Sequence, residues 1–281
     1  TSGGPAALGC RQFFGPPPRR TSERTEKPDL TVTRKPCPVG QAEHSEARHS
    51  NPQSLIPNPS PPMLPVNLDQ LHTILCLGAH ADDIEIGCGG TLLELLRRRP
   101  GLAVHWVVFS ASGQRAVEAR RSAELFLRDA GQRQIMLAEF RDTYFPFQGA
   151  EIKDYFEQIK QAVRPELVFT HRREDLHQDH RLLAELTWCG FRNHVILEYE
   201  IPKYEGDLGA PNCFVPLPEE ACQQKIAHLL TAFPSQQSKP WFTDDTFQAL
   251  LRLRGLECNS PTRFAEAFTA RKLCLALDGR Q

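Results

Sequence analysis

Hydrophobic positions from Leu71 onward alternate between short apolar runs and stretches of helical periodicity. Uniformly apolar runs of about four to eight residues are typical of buried strands, and apolar residues three or four positions apart are typical of amphipathic helices. The alternating order of these segments predicts a Rossmann-like, three-layer α/β sandwich with a mostly parallel sheet. Predicted strands cover 72–79, 103–110, 134–140, 167–170 and 195–201, and predicted helices cover 91–99, 116–131, 151–164, 177–191, 219–233 and 243–255.

The first sixty or so residues differ from the rest of the chain. Residues 1–65 hold 13 of the 23 prolines and show little apolar periodicity. Such a segment buries too little surface to offset its ordering entropy, so we expect a disordered tail over 1–65. Residues 66–281 are expected to form one domain with a mainly helical C-terminal part. Because the sequence lacks an initial Met and Met63 precedes the first strand, residues 1–62 are expected to be either an ordinary tail or sequence upstream of the true start.

The composition and net charge of the chain narrow the kinds of molecule that it is expected to bind. With 33 basic and 34 acidic residues the net charge is −1, which gives no electrostatic case for nucleic acid. The sequence has no basic amphipathic stripe of the kind that binds a membrane surface. Its apolar stretches are shorter than the ~20 residues that span a bilayer, so no membrane-spanning helix is expected. No leader-like segment opens the chain and the nine cysteines stand singly, so we expect a cytoplasmic protein with reduced thiols. The sequence leaves open whether the chain forms a homo-oligomer.

Polar clusters follow three of the predicted strands: AHADD after the first, SASGQR after the second and THRREDLHQDH after the fourth. In an open parallel sheet, ligands bind outside the carboxyl ends of the strands, where loops and helix N-termini converge. We therefore expect the three clusters to contribute to one site.

The histidines and aspartates in these clusters have the spacing of metal ligands. His80 and Asp83 are three residues apart, which directs both to one side of a turn, although an aspartate here could equally cap the next helix. His177 and His180 share a helix face in the same way, a weak signal when taken alone. Together, His80, Asp83 and His180 make a three-ligand set that leaves a fourth position for water, as in catalytic zinc sites. Asp82 and His177 are then the acid/base candidates.

The glycine run GCGGT after AHADD does not fit a nucleotide motif. It is neither GxGxxG nor a P-loop, and the next strand ends in SASG instead of an acidic residue. We expect the glycines to permit close packing at a helix N-terminus, where backbone N–H groups could still bind an anionic or hydroxyl group of a substrate. A nucleotide-binding Rossmann protein is the disfavoured alternative.

Taken together, AHADDIEIGCGG and HQDH resemble the two motifs of the PIG-L/LmbE-like family of zinc-dependent N-deacetylases. The family pattern is AHPDDxxxGxGG followed later by HxDH, and Ala81 stands here in place of the proline. Further similar segments are GQRAVEARR, FRDTYFP, YEIPKYEGDLG and AEAF, so that the resemblance covers residues 71–277. Proline would restrict the turn without supplying a ligand, so Ala81 is expected to loosen the loop and leave the chemistry in place.

The resemblance implies a role for each motif residue. His80, Asp83 and His180 would hold zinc, or iron(II), since nitrogen and oxygen ligands suit either metal. Asp82 would be the general base for attack of a metal-bound water on an amide carbonyl, and a protonated His177 would stabilise the oxyanion or protonate the leaving amine.

Less specific assignments concern the surrounding polar residues. Asp179 is expected to orient one imidazole, and Asp142 to orient His177 or else cap a loop. Arg115, Tyr199 and Lys203 are candidate substrate-binding residues, with a salt bridge to Glu118 as the alternative role of Arg115.

The substrate implied by the resemblance is a small-molecule N-acyl amino sugar or glycoconjugate of the N-acetylglucosamine type. Its acetyl group would be removed by hydrolysis of the amide. A catalytically weak homologue that binds metal or sugar is the non-enzyme alternative.

Overall fold

The computed structural model describes residue 68 and residues 71–274, and within this part seven strands pair in one sheet that six α-helices cover. The strands are β1 (Thr73–His80), β2 (Ala103–Ser110), β3 (Gln132–Leu137), β4 (Leu167–His171), β5 (Val195–Tyr199), β6 (Cys213–Leu217) and β7 (Phe264–Thr269). The helices are α1 (Asp83–Arg98), α2 (Gly113–Phe126), α3 (Gly149–Ala162), α4 (Gln178–Gly190), α5 (Glu219–Ala232) and α6 (Asp244–Glu257).

The sheet is mixed but mostly parallel, which confirms the predicted fold class. Its strand order is β3-β2-β1-β4-β5-β7-β6, and β1 to β5 run parallel while β7 pairs antiparallel with both β5 and β6. The parallel register brings His80 at the end of β1 level with Ser110 at the end of β2. The polar strand ends therefore meet at one edge of the sheet.

Helices lie on both faces of the sheet. α1, α2, α5 and α6 cover one face, where Trp106, Phe126 and Phe233 belong to the buried core. α3 and α4 cover the other face, over Phe109 and Phe156. The strands between these layers are buried on both sides, which explains why they appear in the sequence as continuous apolar runs.

Three elements differ from the sequence prediction: the start of α1, and strands β6 and β7, neither of which was among the predicted strands. The first helix begins at Asp83 rather than residue 91, so the glycine run lies inside α1. β6 was not predicted, because its five residues include Pro216, which removes a ladder donor. Proline is tolerated on an edge strand, and β6 is the last strand in the sheet order.

The glycines of α1 allow side chains to approach the helix closely. A Cβ added at Gly87 would lie 2.2 Å from a ring carbon of Tyr199, and one at Gly89 would lie 2.6 Å from Phe126. The N–H groups of Gly90 and Thr91 donate to the buried Glu266 carboxylate at 2.8 and 2.7 Å. The run thus serves packing, and two of its N–H groups bind a carboxylate of the protein itself.

Gly87→Ala is expected to destabilise the fold by about 1–3 kcal/mol, the range typical of overpacking in a core. The Tyr199 ring cannot easily retreat, because its hydroxyl donates to the Leu77 carbonyl at 2.6 Å. Gly149→Ala is the matched control, since nothing lies within 4 Å of an added Cβ in α3. Thermal unfolding should show a lower Tm for Gly87→Ala only; an unchanged Tm would contradict the packing argument.

The remaining predictions concern the N-terminal tail, the cysteines and the absence of a membrane-spanning helix. The tail expected over 1–65, with Met63, lies outside the described residues. Cysteines within the described part carry free thiols. Among the described helices, none has the length and apolar character needed to cross a membrane.

Candidate active site

The candidate site lies at the edge of the sheet where β1 and β4 end side by side. From β1 the chain continues to β2 and β3 on one side, whereas β4 and β5 lie on the other. Such a switch point opens a crevice beyond the strand ends, in which α/β proteins bind their ligands. A cleft that is open to solvent occupies this position.

Three predicted metal ligands converge at the base of the cleft. His80 Nδ1 lies 3.2 Å from His180 Nε2 and 3.4 Å from Asp83 Oδ2, and His180 Nε2 lies 3.5 Å from Asp83 Oδ1. Ligand atoms bound about 2.0–2.1 Å from a tetrahedral zinc ion stand roughly 3.3 Å from one another. The spacing and chemistry of these donors therefore fit zinc, or another divalent ion that takes nitrogen and oxygen ligands.

The protonation of two of these three side chains, His180 and Asp83, also suits a metal. Burial lowers the pKa of His180 to about 3, with the electrostatic interaction with His171 as the second cause, so its imidazole is neutral near pH 7. Burial alone would raise the pKa of Asp83, but electrostatic interactions with His180 and His171 and hydrogen bonds to His171 and His80 outweigh it and hold that pKa well below its usual range. A neutral imidazole and an ionised carboxylate are the forms that bind metal ions.

His171, which was not predicted from the sequence, also contacts this cluster. Its Nε2 lies 3.2 Å from Asp83 Oδ2, and its ring stacks on His180 with centroids 3.9 Å apart. However, Nε2 also accepts the N–H of Ala79 at 3.0 Å, which occupies the lone pair that a metal would need. The position of His171 as the last residue of β4 was the available signal, since β4 ends beside β1.

Asp82 lies beside the three-residue cluster with its backbone in the left-handed region. Its φ is 107°, a conformation that is strained for a residue other than glycine. Burial raises the pKa of its carboxyl to about 6, although the nearby guanidinium of Arg115 opposes the shift. Adjacent carboxyls whose pKa values shift in opposite directions are typical of an acid/base group next to a permanent anion.

His177 lies at the N-cap of α4, where its Nδ1 accepts the N–H of Asp179 at 3.3 Å. Its ring approaches His80 and His180 with centroids 4.9 and 4.5 Å apart. Burial and the charge on His80 lower the pKa of His177. The structure therefore favours a neutral imidazole, whereas the family resemblance implies a protonated one.

The carboxylates of Asp179 and Asp142 both contact Nε2 of His80, the ring nitrogen on the side away from Asp83. His80 Nε2 lies 3.2 Å from the buried Asp179 Oδ2 and 3.0 Å from Asp142 Oδ1. Asp179 Oδ2 also accepts the N–H of Thr143 at 2.7 Å, which fixes the carboxylate. Asp179 thus contacts an imidazole as predicted, but Asp142 requires a correction, because its ion pair is with His80 and not with His177.

Carboxylates on this far side of His80 alter its titration. Burial would lower the pKa of His80, but hydrogen bonds to Asp142, Asp179 and Asp83 raise it well above its ordinary value. Carboxylates of this kind commonly orient metal-bound histidines and increase their basicity. The arrangement leaves Nδ1 facing the other two proposed ligands.

Arg115 connects the site to the wall of the cleft. Its guanidinium lies 3.0 Å from Asp82 Oδ2 and 3.0 Å from Glu118 Oε2, so the salt bridge considered from the sequence is present. It also donates to the Ala81 carbonyl. Trp241 also lines the cleft, with the Lys239 ammonium 5.7 Å from its ring centroid. Cationic and aromatic groups are thus among the residues that line the cleft.

The two other predicted substrate-binding residues have different surroundings. Tyr199 is fully buried, packs against Gly87, and donates its hydroxyl to Leu77, so the expectation that it binds substrate is corrected to a role in the core. Strand alternation at the end of β5 directs its side chain inward. Lys203 does line the cleft, but its ammonium already contacts Asp175 at 2.9 Å and Asp207 at 2.6 Å.

Fold and site together define an α/β protein with an acidic, histidine-rich cleft suited to a divalent metal. Residues 75–189 match the family described as PIG-L: GlcNAc-PI de-N-acetylase, and this segment includes both the AHADD and the HQDH motif. The resemblance of this chain to the PIG-L/LmbE-like deacetylases, expected from the two motifs, is therefore confirmed.

Individual relatives agree with this family. The uncharacterized deacetylase YaiS of Escherichia coli (strain K12) is 29% identical over 163 residues, which cover 56% of this chain and 88% of YaiS. N,N'-diacetylchitobiose deacetylase from Pyrococcus horikoshii, of which a structure has been solved, is 20% identical, with a TM-score of 0.56 over 70% of this chain and 83% of that one.

A third relative has a different activity. GalB, the 4-carboxy-2-hydroxymuconate hydratase of Pseudomonas putida KT2440, is 17% identical, with a TM-score of 0.58 over 74% of this chain and 99% of that one. At identities of 20% and 17%, the structures of the diacetylchitobiose deacetylase and of GalB show only that both proteins share the fold of this chain. Because that fold is found in both a deacetylase and a hydratase, the reaction has to be argued from the residues of the site.

Proposed function

We propose that this chain is a zinc-dependent hydrolase that removes an acetyl group from the amide nitrogen of an N-acetylglucosamine-type sugar or sugar conjugate. The observation that carries the proposal is the cluster of His80 Nδ1, His180 Nε2 and the two carboxylate oxygens of Asp83, with contacts of 3.2 to 3.5 Å between the residues and with Asp82 beside it in an open cleft. A metal held by these three residues would supply Lewis acidity and lower the pKa of water.

Asp82 is the proposed general base. Its carboxyl has a pKa of about 6, which allows it to be ionised at neutral pH and still accept a proton from the attacking water. The contact with Arg115 at 3.0 Å holds the carboxylate in place. Water adds its oxygen to the acetyl carbon and the C–N bond breaks, so that acetate and a free amino sugar leave the site.

His177 is the proposed donor toward the leaving amine. The lowered pKa means that its imidazole starts neutral, so the proton that it passes to the leaving nitrogen would be the one that Asp82 has taken from the attacking water. Its place at the N-cap of α4 puts the ring at the lip of the cleft, next to His80 and His180. A residue in this position can also donate a hydrogen bond to the developing oxyanion.

The substrate class rests on the cleft as well as on the relatives. Trp241 lines the cleft and is an aromatic residue of the kind on which sugar rings stack, and the Lys239 ammonium lies over its ring. The diacetylchitobiose deacetylase acts, by its name, on an N-acetylated sugar. These observations favour an N-acyl amino sugar as the small-molecule partner.

The proposal is tested by acetate release from a panel of N-acetylated sugars and sugar conjugates. The zinc-loaded protein is expected to release acetate from at least one member, in amounts equal to the free amine produced. Zinc binding without turnover on the whole panel would favour the metal- or sugar-binding homologue instead. If the protein released neither product but hydrated an unsaturated acid such as the GalB substrate, the proposed reaction would have to be changed from deacetylation to hydration.

A further inference from the structure

Lys203 belongs to the loop between β5 and β6, and its ammonium lies between two buried carboxylates. Its Nζ lies 2.9 Å from Asp175 Oδ2 and 2.6 and 2.8 Å from the two oxygens of Asp207. The side chains of Asp175 and Asp207 are only 2% and 6% exposed, and that of Lys203 is 10% exposed. A lysine bound in this way has little freedom to turn toward a substrate.

Asp175, on one side of this ammonium, contacts the proposed metal ligand. The same Oδ2 that binds Lys203 lies 3.0 Å from His180 Nδ1. Because an ionised carboxylate only accepts hydrogen bonds, His180 Nδ1 must donate, which leaves the Nε2 lone pair facing His80 and Asp83. Asp175 Oδ1 accepts the N–H of His177 at 2.8 Å. One carboxylate therefore fixes both histidines of the HQDH motif.

Asp207, on the other side, holds the loop that lines the cleft. Its Oδ2 accepts the N–H of Leu176 at 2.6 Å, and its carbonyl accepts from Arg172. Between Lys203 and Asp207 the loop turns at Gly206, where φ is +60°, and Tyr204 on this turn lines the cleft with 75% of its surface exposed. The two ends of this turn are joined through the Lys203–Asp207 ion pair.

We propose that Lys203 is a positioning residue that couples the cleft loop, defined here as residues 201–207, to the orientation of His180. The ammonium separates two carboxylates that would otherwise repel each other, and it thereby keeps Asp175 on His180 and Asp207 on the loop at the same time. This inference rests on the proposed function only in taking His180 as a metal ligand. It assigns to Lys203 a role different from the direct substrate contact expected from the sequence.

Lys203→Met tests the coupling, because it keeps the length of the side chain and removes its charge. We expect a 10- to 100-fold loss of zinc affinity, the range typical for partners that orient a metal-bound histidine. We also expect faster hydrogen–deuterium exchange over residues 201–212. Zinc affinity is measured by competition with a chelator and exchange by mass spectrometry, so neither measurement depends on turnover.

Two further variants and a control sharpen the test. Lys203→Arg should retain zinc affinity within roughly threefold, since a guanidinium can bridge two carboxylates. Asp207→Asn should speed exchange in the loop with a smaller loss of zinc affinity, because Asp175 keeps its ammonium partner. Lys153→Met, which removes a surface ion pair with Glu157 in α3, should change neither quantity.

The outcomes separate this inference from the proposed function. Wild-type protein that binds no zinc would remove the proposed function and this inference with it. Wild-type protein that binds zinc, with Lys203→Met binding it equally well, would overturn the coupling alone. A raised KM with unchanged zinc affinity would also overturn the coupling and return Lys203 to a substrate-binding role. A lower Tm with unchanged affinity and exchange would make its role purely structural.

Discussion

His180→Ala is expected to lose both the bound metal and the deacetylase activity. The substitution removes one of three donors whose atoms lie 3.2 to 3.5 Å apart, and two remaining ligands do not hold a divalent ion firmly. The loss should exceed the 10- to 100-fold that is typical when only an orienting partner is removed. Metal content after dialysis and acetate release measure the two effects.

The control for this prediction is His72→Ala, since His72 is an exposed histidine far from the cleft. Circular dichroism should show that both variants are folded. Two further variants separate two possible ligand sets, because His180 belongs to both. If Asp83, His171 and His180 held the metal, His171→Ala would lose it completely and His80→Ala would retain it, which would contradict the assignment made here.

Asp82→Asn is expected to retain the metal and lose most of the activity. Asparagine has the same shape as aspartate and tolerates a positive φ, so the backbone at 107° should be preserved. An amide cannot take the proton of the attacking water, and removal of a general base costs about 10²- to 10⁴-fold in rate. The effect should fall on kcat, with the metal content unchanged.

Asp154→Asn, a change at an exposed position of α3, is the matched control for Asp82→Asn. It should leave metal content and kcat as in the wild type. Loss of metal in Asp82→Asn would place Asp82 among the ligands, and near-normal kcat would show that another group takes the proton.

The sequence was sufficient to predict the fold class because both faces of the parallel strands are buried. Strands β1, β2 and β4 therefore stood out as apolar runs separated by amphipathic helices. Strand β6 was missed for the opposite reason, since it is short, lies at an edge and contains Pro216. The start of α1 was predicted too late because its glycines, which are poor helix formers, lie in the first turns and are covered by Tyr199 and Phe126.

The grouping of His80, Asp83 and His180 could be predicted because two motifs carry these residues at the ends of neighbouring strands, whereas their role as metal ligands stays a prediction. It was less predictable where a role depends on the direction of a side chain. Tyr199 and Lys203 both belong to the segment YEIPKYEGDLG, yet one packs in the core and the other binds two carboxylates. Asp175 precedes His180 by five residues and lies outside α4, and the loop before α4 brings its carboxylate into contact with His180.

Titration of zinc into metal-stripped protein, followed by acetate release at each step, tests the central claim most directly. A saturable rise in activity that ends at one zinc per chain is the result that the three-ligand site predicts. Full activity of the stripped protein before any zinc is added would contradict a metal-dependent mechanism at His80, Asp83 and His180.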